Sequence, residues 1–175
     1  LDNYLEALVE DRAAVASAGL FDLEVLEAID ESRISEVVDA TLAAGAGVVP
    51  TLVLWEVFLG TEPSGALLES RPEVRYMPQE MVQTWADTVD SRIAANDPAL
   101  SSRVVEIRRE LTRALHAAGV PVLLGTDSPQ IFSVPGFSIH HEMAVMVAAG
   151  LSPYEVLVSG TRAVAEFLGL GHDFG

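Results

Sequence analysis

The stretch VPVLLGTDSP at residues 120–129 decides the fold class, because a wholly apolar run leads straight into a cluster of turn-forming residues. An apolar run without polar alternation is typical of a parallel strand that is covered on both faces. The run GVVPTLVLW at residues 47–55 has the same character, although Pro50 cannot donate a hydrogen bond to a strand ladder. We therefore predict an α/β protein with two buried parallel strands, at 47–55 and 120–124.

Helices are predicted between and around these strands, because apolar residues recur there every three or four positions. The connection between the strands, from about residue 60 to 118, is mostly helical and starts with a stretch rich in Pro and Gly. Ser152 and Glu155 have the spacing of a capping box, which predicts the start of a further helix. The predicted helices cover residues 1–18, 21–29, 34–44, 81–93, 100–118, 139–147, 153 onward and 161–169, with a single turn at 66–69.

The number of strands is the unusual feature of this chain. Two short parallel strands cannot cover each other on both faces, and parallel sheets occur almost only when they are fully buried. Three explanations stay open: residues upstream of Leu1 supply further strands, another chain supplies them, or the apolar runs are buried helices. A chain of 175 residues is long enough for one domain.

The composition excludes several classes of protein. The chain has 26 acidic and 10 basic residues, a net charge of −16 and no Lys, so we expect no nucleic-acid partner. The absence of Cys excludes disulfides, thiolate catalysis and Cys-ligated metals. The longest apolar run, at 42–55, contains Gly and Pro and is shorter than the ~20 residues of a membrane helix, so we expect no membrane partner. The compartment stays unknown: the cytoplasm is slightly favoured, and a lost amino-terminal signal stays the alternative.

Asp127 is the strongest candidate for a catalytic residue. It stands in the turn just beyond the carboxyl end of the second apolar run, where barrels and open α/β enzymes place catalytic groups. A carboxylate at this position can bind a metal ion or accept a proton. The alternative, which residue chemistry alone favours, is that the carboxylate bonds to nearby backbone amides and only stabilises the turn.

Glu56, Trp55 and His140 are further candidates, as substrate-binding residues. Glu56 follows the first apolar run at the position that corresponds to Asp127, and Trp55 beside it could form the wall of a pocket. His140 and His141 point about 100° apart on a predicted helix, so they cannot readily share one ion, although one of them could reach a pocket. Packing in the core or exposure to solvent is the competing interpretation for each of these residues.

The order of these motifs resembles the carboxyl-terminal part of the amidohydrolase superfamily barrel, and most closely its imidazolonepropionase-like and prolidase-like branch. Residues 47–54 are similar to that branch's seventh strand. The resemblance implies an α/β fold: the carboxyl-terminal part of a TIM-like (β/α)8 metal-dependent hydrolase barrel, helix-rich and incomplete, over residues 1–175, with a helical insertion at about 60–118. The other matching segments are 120–129, PGFSIH at 135–140 with Glu142, the helix at 143–147, AGLSP at 149–153, and 161–170.

The resemblance also implies a mechanism. In the family, an Asp at the end of the eighth strand binds the catalytic metal and exchanges a proton with the attacking water, and Asp127 matches that position. The implied cofactor is a divalent metal, with zinc as the first choice, present as one or two ions whose ligands mostly lie outside this chain. The implied reaction is hydrolysis of a carbon–nitrogen bond in a small-molecule amide, cyclic amide or dipeptide. Association into a homo-oligomer stays open.

The chain departs from the family pattern in its ligands. The family's first-strand His-x-His pair and its middle-strand ligands have no counterpart among His116, His140, His141 and His172, and the sixth-strand His would fall before Leu1. One carboxylate cannot hold a catalytic zinc, which needs about three protein ligands, so we expect this chain alone to be inactive. Two other functions stay open: a non-catalytic helical binding or scaffold module, and a fold that lost its metal and binds small molecules.

Overall fold

The chain is mainly helical in the computed structural model, which describes residues 4–11, 13, 23–59 and 64–174. Two turns of 3-10 helix, Glu31–Arg33 and Pro72–Tyr76, lie between longer elements. None of the helices in these ranges has the length and apolar character needed to cross a membrane. The helices are α1 (Tyr4–Ala7), α2 (Leu23–Glu27), α3 (Ile34–Ala44), α4 (Leu52–Phe58), α5 (Gly65–Glu69), α6 (Gln79–Ala95), α7 (Pro98–Ala117), α8 (Ser138–Ala148), α9 (Pro153–Ser159) and α10 (Arg162–Phe167).

Most of the predicted helices are present, because their local start and stop signals agree with their packing. α3 ends at Gly45, whose φ of 62° is the left-handed conformation of a glycine C-cap. α7 begins at Pro98, and the carboxylate of Asp97 accepts hydrogen bonds from the N–H groups of Ala99 and Leu100. Such signals depend only on neighbouring residues, and the sequence therefore predicts these elements well.

The helix predicted over residues 1–18 is wrong in part. α1 ends at Ala7, and Val9 then pairs with Ile29 in an antiparallel bridge. Leu8 and Val9 are both buried, so a tertiary contact overrides the helical spacing here. The predicted stop at Gly19 and the predicted helix start at residue 21 lie outside the described residues.

Only short pieces of the two predicted strands pair with each other. The N–H of Val48 donates to the carbonyl of Pro121 at 2.8 Å, and the N–H of Leu123 donates to the carbonyl of Val48 at 2.8 Å. These bonds form a parallel bridge between Val48 and Val122. The described part of the chain contains no β-strand that is longer than such a bridge. The direction of pairing is as predicted, whereas the two extended strands are not seen.

The strand predicted over 47–55 is wrong beyond Pro50, because the chain turns into a helix there. Thr51 has a φ of 48°, in the left-handed region, and α4 begins at the next residue. Pro50 offers no N–H to a continuing ladder. α4 packs against α6, α7 and α8, and a short helix buried on several sides has the same unbroken apolar sequence as a buried strand. The third explanation, a buried helix, therefore holds for this segment.

Among the residues that the structure describes, two clusters of apolar side chains hold the helices together. Leu111 of α7 is fully buried in the larger cluster, which also contains the paired Val48 and Val122. In the smaller cluster, the ring of Trp85 from α6 lies 5.6 Å from the ring of Phe132. The helical region that connects the two paired segments thus packs on the loop that follows the second one.

Ser152→Ala is expected to destabilise the chain by about 1 kcal/mol, because it removes one of the two bonds of the capping box at the start of α9. The Ser152 hydroxyl accepts from the N–H of Glu155 at 3.3 Å, and the Glu155 carboxylate accepts from the N–H of Ser152 at 2.7 Å. Urea unfolding measures the change in the free energy of unfolding. Ser35→Ala, at an exposed position in α3, is the control, with an expected change within about 0.5 kcal/mol. An equal loss in the free energy of unfolding in both variants would contradict the assignment of Ser152 as the cap.

Candidate functional site

The carboxyl ends of the two paired segments meet at one edge. Pro50 leads into Thr51 and α4, and the second segment leads into the turn at residues 125–127. Because the bridge is parallel, both turns lie at the same edge of the pair. A Cβ atom on Gly125 would lie 2.7 Å from Cγ1 of Val49, so any other residue here would require the Val49 side chain to shift. Enzymes with parallel strands place their reactive side chains at such an edge.

Asp127 lies at this edge with an exposed side chain. The Nε2 atom of Gln130 donates a hydrogen bond to Oδ2 of Asp127 at 2.6 Å. The carboxylate is therefore oriented by a neighbouring side chain and also reaches solvent. An exposed, oriented carboxylate can accept a proton or bind a cation.

The loop after Asp127 is tied to the start of α8. The Ser138 hydroxyl donates to Oγ1 of Thr126 at 3.1 Å, and the Ser133 hydroxyl donates to the carbonyl of Thr126 at 3.1 Å. Both bonds act on the residue that directly precedes Asp127. The position of Asp127 thus depends on α8 as well as on the paired segment.

Three non-glycine residues of this loop have a positive φ. The angles are 52° for Asp127, 31° for Ile131 and 62° for Phe132. Such conformations cost on the order of 1–3 kcal/mol each and persist only where the surrounding structure holds them. Phe132 is held by its burial against α6. Strain of this kind is concentrated at functional sites in proteins, which agrees with a functional role for the loop.

Glu142 of α8 is a buried carboxylate close to the same edge, with 0% of its surface exposed. Its Oε1 atom accepts from the N–H of Leu52, and its Oε2 atom accepts from the N–H of Val53, both at 2.8 Å. These N–H groups belong to the first turn of α4, where a helix provides no acceptors of its own. Glu142 therefore binds α8 to the helix that begins at the edge.

Burial raises the pKa of the Glu142 carboxyl from its ordinary value of 4.5 to about 7. The N–H groups of Val53 and Leu52, and then the Arg108 cation, act in the opposite direction, while the nearby Glu56 carboxylate raises the pKa further. The cost of desolvating the charge thus exceeds the gain from the hydrogen bonds. The folded chain holds this proton over a pH range in which the unfolded chain has released it.

Glu142→Gln is expected to change how stability depends on pH. A raised pKa in the folded state gives stability that is fully present below the unfolded pKa and is lost as the pH rises through the folded pKa. From the shift between 4.5 and about 7, the wild type should lose roughly 3 kcal/mol relative to Glu142→Gln between about pH 4 and pH 8. Urea unfolding of both proteins across this range measures the difference. Parallel pH curves would show that Glu142 titrates normally.

Arg108 of α7 binds the same turn from the other side and is only 1% exposed. Its Nη2 atom donates to the carbonyl of Pro50 at 3.0 Å. Its guanidinium carbon lies 3.9 Å from the centre of the Trp55 ring, which is the geometry of a cation–π contact. Two buried charged side chains, Arg108 and Glu142, thus hold the chain on both sides of Thr51.

Trp55 and Glu56, two of the predicted substrate-binding residues, have partners inside the fold. Trp55 is 3% exposed and lies in the larger core cluster beneath Arg108. Glu56 is 7% exposed, and Oε1 of Glu56 accepts from Nε of Arg109 at 3.0 Å. The structure does not bring these two side chains together with the exposed Asp127. Their role in binding substrate stays a prediction.

The adjacent histidines of α8 have different surroundings, as the helix geometry predicts. His140 is exposed in the first turn of α8. His141 is half-buried, with its Nε2 atom 3.4 Å from Oε1 of Glu73 and its Nδ1 atom 3.5 Å from Nη1 of Arg71. His141 and its two partners border a cavity of about 460 Å³ that also touches Val53 of α4. Of these two histidines, His140 is the more exposed.

The two other histidines, His116 and His172, have other surroundings. His116 stands near the end of α7, before the second paired segment, and its Nε2 atom lies 3.1 Å from Oε1 of Glu155. The N–H and hydroxyl of Ser152, followed by His116, lower the pKa of the Glu155 carboxyl to about 2. His172 is exposed in the last described residues. Within the described residues, Asp127 bonds to Gln130 and to neither of these histidines.

The described residues provide fewer than three metal ligands at the edge. Asp127 offers an exposed carboxylate oxygen, a donor that zinc accepts. Within residues 4–11, 13, 23–59 and 64–174, no group of three or more His, Asp or Glu side chains could hold a metal ion. A zinc site with about three protein ligands does not fit in these residues alone.

Glu142 and Arg108 were not assigned any role from the sequence. Each is a charged residue in the apolar stripe of an otherwise amphipathic helix, and this position is a signal of burial. Arg108 follows Val104 by one turn, and Glu142 precedes Met146 by one turn. The pattern could have indicated that both are buried, but not which backbone groups they bind.

Comparisons with known proteins give three findings. A sequence model of the Amidohydrolase family matches residues 23–175. The solved structure of AH, bottromycin amidohydrolase, is similar to this chain, with a TM-score of 0.64 and 26% sequence identity over 95% of this chain and 36% of that chain. No match was found among the curated proteins. The chain thus spans little more than a third of the solved protein that it resembles.

Proposed function

The chain belongs to the amidohydrolase family, and we propose that it forms part of a hydrolase that cleaves carbon–nitrogen bonds, with Asp127 as the reactive carboxylate. The observation that carries the proposal is the position of Asp127. Its exposed carboxylate lies at the carboxyl edge of a parallel pair, on a loop that is bonded to α8. The similarity to bottromycin amidohydrolase supports an amide-hydrolysing activity.

We propose further that the two paired segments are neighbouring strands of a (β/α)8 barrel. The apolar character of both segments and their parallel bridge support this arrangement. The remaining strands would come from outside the described residues, as the 36% coverage of the solved relative suggests. The imidazolonepropionase-like and prolidase-like branch stays the expected branch.

The chemistry proposed for Asp127 is general acid–base catalysis. The carboxylate accepts a proton from the attacking water as the new carbon–oxygen bond forms, and it returns that proton to the nitrogen as the carbon–nitrogen bond breaks. A divalent metal, zinc as first choice, would polarise the substrate carbonyl and lower the pKa of the water. Asp127 is the residue of this chain that would hold one or two such ions, together with ligands from outside the described residues.

The proposed substrate is a small-molecule amide, cyclic amide or dipeptide. His140 is the favoured substrate contact, because it is exposed at the start of α8, close in sequence to the anchored loop. Trp55 and Glu56 would have to give up internal contacts in order to reach a ligand. They are therefore weaker candidates than His140.

Hydrolysis assays test this proposal. The chain is expressed with the coding sequence upstream of Leu1 and offered simple amides, cyclic ureas and dipeptides in the presence of zinc. We expect hydrolysis of at least one of these classes. A folded protein that binds zinc and hydrolyses none of them would contradict the proposal and favour a non-catalytic binding module.

A further inference from the structure

Glu142 belongs to a closed ring of contacts between α8, α4 and the two paired segments. This ring includes the edge at which Asp127 lies. At the start of α8, Ser138 bonds to Thr126, the residue before Asp127. One helical turn later, Glu142 binds the N–H groups of Leu52 and Val53 in the first turn of α4. The ring closes through the backbone, because the segment that leads into α4 pairs with the segment that leads into Asp127.

We propose that Glu142 is a positioning residue that couples the turn between Pro50 and α4 to the loop that carries Asp127. Each of its two oxygens accepts a hydrogen bond from a different N–H group, so the two bonds together fix the distance and the rotation of α8 relative to α4. Because α8 also holds Thr126, a change at Glu142 is transmitted to Asp127. The coupling rests on the proposed function only in naming Asp127 as the reactive group.

The charge state of Glu142 offers a way to observe this coupling. An ionised carboxylate accepts from both N–H groups, whereas a protonated carboxyl has one oxygen that acts mainly as a donor. Because burial raises the pKa of Glu142 to about 7, the change takes place in an accessible pH range. Arg108 of α7 and Glu56 of α4 face this carboxyl, α9 carries Tyr154 and Glu155, and α8 itself carries His140 and His141.

The experiment is a pH titration of backbone amide signals by NMR in the chain of residues 1–175. We expect the amides of Leu52 and Val53 to shift with a midpoint near pH 7, which reports Glu142 directly. We expect the amides of Thr126 and Asp127 to shift with the same midpoint, which reports the coupling. Both sets of shifts should disappear in Glu142→Gln.

Two control variants separate Glu142 from other groups. His140→Gln combined with His141→Gln removes both imidazoles of α8 and should retain both sets of shifts. Glu110→Gln, which removes an exposed carboxylate of α7, should also retain them. If Glu142→Gln does not fold, the double histidine variant still tests whether an imidazole of α8 causes the shifts.

Each result of the NMR titration either supports or overturns the coupling. Shifts at Leu52 and Val53 without shifts at Thr126 and Asp127 would overturn the coupling and leave Glu142 as a local helix cap. Loss of all shifts in the double histidine variant, or their persistence in Glu142→Gln, would also overturn it. None of these signals requires turnover, so failure of the coupling and failure of the proposed hydrolase activity are distinguishable.

Discussion

Asp127→Asn is expected to lower the rate of amide hydrolysis by at least about 100-fold in the protein expressed with its upstream sequence. A positioned acid–base group typically contributes about 10²–10⁴-fold to the rate. Asparagine has nearly the same shape and can still accept the hydrogen bond from Gln130, but its amide neither carries the negative charge nor accepts the proton. Rates at saturating substrate, measured on variants with an unchanged fold, give the ratio.

Asp87→Asn is the matched control for this variant. Asp87 is an exposed residue of α6, and its Oδ1 atom accepts a hydrogen bond from Nε2 of Gln83 at 3.1 Å. It therefore has the same type of side-chain partner as Asp127 but belongs to α6 and not to the turn at the edge of the paired segments. The rate of amide hydrolysis by Asp87→Asn should stay within about twofold of the wild-type rate, because substitutions at exposed positions rarely alter a fold. A fully active Asp127→Asn would remove the basis for assigning Asp127 to the reaction.

Arg108→Ala is expected to destabilise the chain by about 3–5 kcal/mol, because it removes a large, fully buried side chain together with its hydrogen bond and its ring contact. The variant would leave the carbonyl of Pro50 without the donor at Nη2 and would leave the ring of Trp55 without its cation. Glu142 would lose the nearby positive charge that favours its ionised form. A loss of this size is a large fraction of the free energy of unfolding of a typical domain. Urea unfolding at neutral pH measures it.

Arg113→Ala, on the same helix, is the control for Arg108→Ala. The Arg113 side chain is 56% exposed, and its Nη2 atom lies 3.8 Å from Oε1 of Glu110. A surface pair of this kind contributes at most about 1 kcal/mol. If the two variants were destabilised equally, the buried contacts of Arg108 would not contribute as the structure indicates.

Local signals explain which parts of the fold could be predicted from the sequence. The Asp97 cap before α7 and the Gly45 stop after α3 act on their immediate neighbours, so their effect is visible in the sequence. The segment 47–55 could not be assigned correctly, because an unbroken apolar run carries no period. The bond that holds the start of α4 comes from Glu142, which is 90 residues away from Leu52 in the chain.

The candidate site could also be predicted from the sequence only in part. Asp127 could be singled out because turn residues follow an apolar run, and this pattern is contained within ten residues. The contacts of Trp55 and Glu56 with arginines of α7 could not be predicted, because they depend on how two distant helices pack. Whether those residues bind substrate stays a prediction, and so does the full set of metal ligands.

The rate of hydrolysis after metal removal tests the central claim most directly, namely that this chain contributes one ligand, Asp127, to a metal-dependent hydrolase site completed from elsewhere. Two proteins are compared: residues 1–175 alone, and the chain with its upstream sequence. We predict that the longer protein loses at least about 100-fold in rate when the metal is chelated and regains it with zinc, while residues 1–175 stay at the background rate throughout. Hydrolysis by residues 1–175 at the rate of the longer protein, unaffected by the chelator, would contradict the claim.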